Sequence, residues 1–313
     1  GLHGPRFVPA GALAPDRPTA EERSSPVAGG EARYRALTAG DLQPGQRVAL
    51  FVHGFTSETK WLVGGLLPWL EHNGLGYDHA LTFDYETFNT RISANGQNLA
   101  KALRAAGFGP DDGLQLDVFA HSMGTQVVRS LVEQHGGEAF VDRCFLAGPP
   151  NQGTRLAEAK RLIPWLGTLL LNQAGPTPPS LIASWVLNKV SDNAVGGDDL
   201  RPGSEFYERL NSADQPAKVP YYILAGRHDL PAGSQSVWDR LAQTLVGAAD
   251  AGLDLLFGDQ HDLVINVQSM LTVRNGHYPL DLLRTQVLPC HHFQYFGSTE
   301  GQQALLEWLQ TSR

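Results

Sequence analysis

The chain has 313 residues, 42% of them hydrophobic and 18% charged, which is ample material for a packed core and does not read as a disordered chain. A net charge of −8 and no run of Lys or Arg leave no basic footprint for neutralising phosphates, so a nucleic-acid partner is not expected. Two cysteines, Cys144 and Cys290, exclude a disulfide framework and a multi-cysteine metal site.

Residues 1–45 are punctuated by Pro5, Pro9, Pro15, Pro18 and Pro26 and carry little apolar periodicity. They read as an extended arm or linker, with a strand-and-loop extension along the body as the alternative. From Arg47 the pattern changes. Arg47–Val52 is a buried-strand signature ending in His53-Gly54. A helix is expected around Lys60–Glu71, a strand at His79–Phe83, and a helix over Arg91–Ala106 that stops at Gly107. Leu114–Ala120 reads as strand, Met123–Gln134 as helix and Val141–Ala147 as strand. The alternation lapses after Gly153 and resumes at Val219–Ala225. Strand-like pieces follow at Leu253–Phe257, Leu263–Val267 and Gln286–Leu288, then a terminal helix at Gln302–Gln310. Strands alternating with helices predict an α/β fold with a mostly parallel sheet covered on both faces.

The central motif is Ala120-His121-Ser122-Met123-Gly124, set between a strand and a helix. A serine on such a sharp turn holds its hydroxyl out above the sheet edge, and small residues two before and two after it let the backbones approach. The helix start beside Ser122 makes Met123 N–H a candidate oxyanion donor. A second donor is expected from a loop facing the serine, and Phe55 N–H, after His53-Gly54, is the candidate. His53 is expected to brace that loop by hydrogen bonding.

With these residues the sequence resembles the α/β-hydrolase superfamily, in particular bacterial lipases and esterases whose turn reads Ala-His-Ser-Met-Gly. The resemblance runs from about Arg47 to Arg313 and includes Gly148-Pro149-Pro150-Asn151-Gln152-Gly153-Thr154. In lipases a similar string shapes the floor of the acyl site and leads into a lid. The turn here begins with Ala rather than the commoner Gly. The resemblance implies the chain order Ser, Asp/Glu, His. It places the base in Cys290-His291-His292-Phe293-Gln294-Tyr295-Phe296, at His292 in preference to His291. The acid is expected at Asp262, within Asp259-Gln260-His261-Asp262-Leu263-Val264-Ile265, with Asp229 of Gly226-Arg227-His228-Asp229 as the alternative.

Residues 155–217 read as an insertion. Two apolar stretches, one around Leu162–Leu171 and one around Ile182–Val190, flank Gly175-Pro176-Thr177-Pro178-Pro179. Either they form a lid whose underside makes transient contact with a lipid interface or long acyl chains, or they form a fixed helical cap. The apolar run Ile163–Leu171 contains Pro164, Gly167 and Thr168 and is well short of the ~20 residues a bilayer requires, so no transmembrane segment is expected. No His-Glu-x-x-His spacing occurs, and Asp111-Asp112 and Asp198-Asp199 read as solvated loops, so neither a metal nor another cofactor is expected. The sequence therefore predicts a serine carboxylic-ester hydrolase acting on a small-molecule or lipid ester. An acyltransferase or phospholipase with the same three residues, and a non-catalytic binding module, are the alternatives.

Overall fold

The computed structural model describes the backbone of residues 6–9 together with residues 40–54, 59–87, 89–155, 195–212, 218–227, 260–262 and 264–311. Seven strands form one sheet: β1 (Arg6–Pro9), β2 (Arg47–Val52), β3 (His79–Phe83), β4 (Gln115–His121), β5 (Arg143–Ala147), β6 (Tyr221–Gly226) and β7 (Leu283–Leu288). Their order is β1-β3-β2-β4-β5-β6-β7. β2 through β7 are parallel, and β1 lies antiparallel along the edge of β3, with Arg6 opposite Thr82. Part of the Pro-punctuated start is thus a strand on the body, as in the alternative reading of that segment.

The order turns back at β2. The chain leaves β2 for β3 on one side, then returns to place β4 on the other. In open parallel sheets such a reversal opens a crevice at the carboxyl ends of the two strands. His53-Gly54 and Ser122 follow those two ends directly.

Strand periodicity divides the core between the two faces. Val48, Leu50 and Val52 of β2 pack with α2 (Ile92–Ala105), α3 (Met123–Gln134) and α5 (Glu205–Asn211). Ala49 and Phe51 face the other way, against α1 (Thr59–His72), α6 (Val267–Leu271) and α7 (Thr299–Thr311). A short helix, α4 (Val195–Asp199), precedes α5. On the second face Phe51, Phe119, Phe145 and Tyr222 occupy matched positions on β2, β4, β5 and β6. Their rings stack in a row at 5.4, 4.9 and 4.8 Å between centroids. Each such burial contributes roughly 1.5–3 kcal/mol, and the row fixes the register of the strands that carry the site.

Three expectations differ from the structure. The described residues of the piece expected at Leu263–Val267, residues 264–267, are not a strand: His261 and Asn266 form an isolated bridge, and Val267 begins α6, capped by the Asn266 side chain. Asp199 is not solvated. It is buried, pairs with Arg91 at 2.6 Å and accepts the Ile92 N–H at 2.9 Å, capping α2 from a distant segment. Leu283 to Thr285 extend β7 upstream of the expected Gln286, because the main chain pairs with β6 although the Arg284 and Thr285 side chains are exposed. The piece at Leu253–Phe257 lies outside the described residues.

Candidate active site

Ser122 is the single residue between β4 and α3, and its backbone is left-handed, with φ 52° and ψ −127°. For a residue with a Cβ this conformation costs of order 1–3 kcal/mol and persists only where the surroundings hold it. Several contacts hold it here. Ser122 N–H donates to Ala147 O at 2.9 Å, and Thr125 donates to Ser122 O through both its N–H and its hydroxyl. The Ser122 side chain does not cap α3. Met123 N–H is one of the first N–H groups of the helix, which have no intrahelical acceptor.

The small residues flanking the serine are needed for contact. A Cβ on Gly124 would stand 2.2 Å from His53 O and 2.7 Å from Val52 O, so α3 starts against the end of β2. Opposite, a Cβ on Gly54 would lie 2.9 Å from Ser122 Cβ. His53 braces this loop as expected. Its ring stacks on Tyr85 at 4.4 Å, its Nε2 accepts Tyr85 N–H, and its carbonyl accepts the Tyr85 hydroxyl at 2.8 Å. Phe55, the expected second oxyanion donor, lies outside the described residues.

Asp262 and His292 meet directly. His292 Nδ1 and Asp262 Oδ2 are 2.6 Å apart, and both side chains are buried. Asp262 Oδ1 accepts the N–H groups of Val264 at 3.0 Å and Ile265 at 2.7 Å. The Tyr295 hydroxyl donates to Oδ2. Main chain reinforces the pair, since His292 N–H donates to Asp262 O at 2.9 Å. Burial alone would raise the Asp262 carboxyl; the His292 ring and the donors around it outweigh that and hold it below the usual carboxylate range. Asp229, the alternative acid, lies outside the described residues. His291, the alternative base, is buried, and its Nδ1 accepts Phe293 N–H at 3.3 Å.

The serine and the pair are joined through the residues between them. No hydrogen bond links Ser122 to His292. The His121 ring lies 4.8 Å from the His292 ring, and His121 Nε2 is 2.7 Å from His292 O. Gly148, next to the Ala147 that fixes Ser122, passes so close to His292 that a Cβ there would be 3.0 Å from Cε1. Burial, then the neighbouring His292 charge, push the His121 pKa down to about 3, so this ring is neutral.

A second buried cluster was not anticipated from the sequence. Arg129 of α3 is fully buried and donates to Glu133 at 2.8 Å, to Asn151 at 3.2 Å and to Asn211 at 3.0 Å. Arg274 donates to the same Glu133 at 2.8 Å, and the Tyr221 hydroxyl at 3.0 Å. Asn151 Nδ2 donates to Met270 O at 2.6 Å, tying the Gly148–Thr154 string to α6. The i, i+4 spacing of Arg129 and Glu133 was the one available sign, and it ordinarily marks an exposed helix face.

A cavity of about 720 Å³ lies between α1 and the chain that follows His292, with Leu62, His121 and Phe293 in its wall. Among the described residues, no helix is long and apolar enough to cross a membrane. Most of the expected insertion, residues 156–194 and 213–217, lies outside the described residues.

No curated protein sequence matches the chain. Its fold is similar to that of lipase 1 from Pelosinus fermentans, with a TM-score of 0.58 and 15% identity over 86% of this chain and 99% of that one. It is similar to the mature form of the Bacillus licheniformis lipase BlEst2, with a TM-score of 0.53 and 17% identity over 85% and 93% of the two chains. EstA from Clostridium botulinum gives a TM-score of 0.52 at 14% identity over 86% and 87%. The fold is therefore that of the α/β-hydrolase superfamily. Residues 28–310 match the family model described as a domain of unknown function, DUF7379, and the chain belongs to that family.

Proposed function

We propose that the protein is a serine carboxylic-ester hydrolase in which Ser122 is the nucleophile, His292 the general base and Asp262 the residue that orients it. The observation that carries this reading is the buried Asp262–His292 contact of 2.6 Å, made through Nδ1 and leaving Nε2 as the atom to serve the serine. Catalytic hydrogen bonds commonly tighten only when substrate is bound, so the absence of a Ser122–His292 bond is compatible with the reading. The left-handed turn at Ser122 supports it too, since strain of this kind gathers at functional sites.

In the reaction, Ser122 Oγ attacks the ester carbonyl while its proton passes to His292 Nε2. Met123 N–H and Phe55 N–H hold the resulting oxyanion. The tetrahedral adduct collapses, the C–O bond to the alcohol breaks, and His292 returns its proton to the departing oxygen. Water then attacks the acyl-enzyme, His292 takes one of its protons, and release of the acid restores Ser122. Asp262 remains ionised throughout. The apolar stretches of the insertion expected at 155–217 favour medium- or long-chain acyl esters as substrates. The structural relatives named as lipases fit this substrate class.

Hydrolysis of nitrophenyl esters from acetyl to palmitoyl, by the native protein and by Ser122→Ala, tests the proposal. Turnover that disappears with the hydroxyl, together with labelling of Ser122 by a fluorophosphonate, is the expected result. Unchanged hydrolysis by Ser122→Ala would overturn the mechanism.

A further inference from the structure

The Asp262 carboxylate has room for about four hydrogen bonds, and all four positions are filled. Val264 and Ile265 N–H occupy Oδ1, and His292 Nδ1 and the Tyr295 hydroxyl share Oδ2. The direction of the tyrosine proton follows from its other neighbours. Gly226 N–H donates to the phenolic oxygen at 2.9 Å, so that oxygen already accepts a backbone hydrogen bond. The remaining neighbour, Met270 Sδ at 3.3 Å, is a weak acceptor beside an ionised carboxylate.

Three segments make room for this one side chain and its backbone. A Cβ on Gly148 would be 2.7 Å from Tyr295 Cε2, and one on Gly226 would be 2.7 Å from the Tyr295 hydroxyl oxygen. At the start of α7, a Cβ on Gly301 would overlap Tyr295 O. Glycines after β5, at the end of β6 and in α7 thus converge on Tyr295. The ring is fully buried, and desolvation together with the Asp262 charge raises the hydroxyl well above the usual tyrosine range, keeping it a neutral donor.

Resting on the hydrolase reading above, we infer that Tyr295 is a positioning residue: its hydroxyl pins Asp262 Oδ2, keeping the carboxylate ionised and aimed at His292 Nδ1. Tyr295 touches no reacting atom. Its effect reaches the chemistry through the direction of the imidazole and the charge behind it.

The test is the Tyr295→Phe variant, assayed with a nitrophenyl ester across the pH range and checked for folding by thermal melting. A charge-assisted hydrogen bond of this type contributes ~1.5–3 kcal/mol, so kcat should fall on the order of 10–100-fold with KM little changed. The acid limb of kcat/KM should move to higher pH, because the carboxylate loses a donor and draws more strongly on the imidazole proton. Site-specific 3-fluorotyrosine at position 295 keeps the shape and strengthens the donor, and it should move the limb the opposite way. That second variant serves if the phenylalanine protein does not fold. A folded Tyr295→Phe with native kcat and an unmoved limb, or a fluorotyrosine protein with an unmoved limb, overturns the inference alone. A native protein that neither hydrolyses esters nor takes up fluorophosphonate overturns the hydrolase reading and the inference with it.

Discussion

Gly124 and His53 touch backbone to backbone: a Cβ on Gly124 would stand 2.2 Å from the His53 carbonyl oxygen. The first turn of α3 and the end of β2 cannot separate without moving the serine turn and the facing loop together. Gly124→Ala should therefore cost about 3 kcal/mol or more, since neither partner is a flexible side chain that can yield. A fall in the urea midpoint together with loss of ester hydrolysis is the expected result, and a native midpoint would refute the contact.

The strain at Ser122 separates stability from activity. Ser122→Gly should raise stability by about 1 kcal/mol, as relief of the left-handed backbone outweighs the added chain entropy of glycine. Ser122→Ala removes the same hydroxyl without relieving φ and should melt no higher than the native protein. Both should be inactive. Equal melting of the two variants would show that the turn is unstrained.

Asp262→Asn should leave His292 in the wrong tautomer and lower kcat on the order of 10⁴-fold. It should also change the acid side of the stability curve. Because the folded carboxyl is held below its unfolded value of about 3.9, its contribution is complete above that pH and is lost as pH falls toward the folded value. The asparagine variant should lack this loss. Urea titrations between pH 5 and 3 provide the comparison.

His121 predicts a second, higher window. Its folded pKa is pushed down to about 3, against about 6.5 in the unfolded chain. The unfolded state therefore binds the extra proton as pH falls from about 6.5 toward 3, and folding weakens by up to ~1.4 kcal/mol per pH unit. Above 6.5 the residue has no such effect. His121→Gln, which keeps a donor for His292 O, should flatten the decline between pH 6.5 and 4.5. An unchanged slope in that variant would count against the assignment.

What the sequence revealed follows the range of the forces involved. The short β-branched and aromatic run Arg47–Val52 and the helical run Met123–Gln134 depend on local burial, and both elements formed where the pattern put them. The serine turn was legible because Ala120, Ser122 and Gly124 answer a steric demand inside five residues. Tyr295 was quoted as part of a string and given no role, since its partners Asp262 and Gly226 are distant in the chain. Asp199 was misread for the same reason: nothing near it signals that it caps α2. Arg129 was not singled out, because a buried guanidinium is recognisable only once Asn151, Asn211 and Glu133 surround it.

Asn151 accepts from Gln126 and Arg129, donates to Met270, and receives Asn211 on its own carbonyl. One amide thus binds segments that leave the ribosome far apart in time. A nascent chain that has emerged only as far as α5 has the serine turn and neither Met270 to close this junction nor the Asp262–His292 pair. The junction and the Asp262–His292 pair can therefore close only after the residues up to His292 have emerged, long after the serine turn itself has left the ribosome.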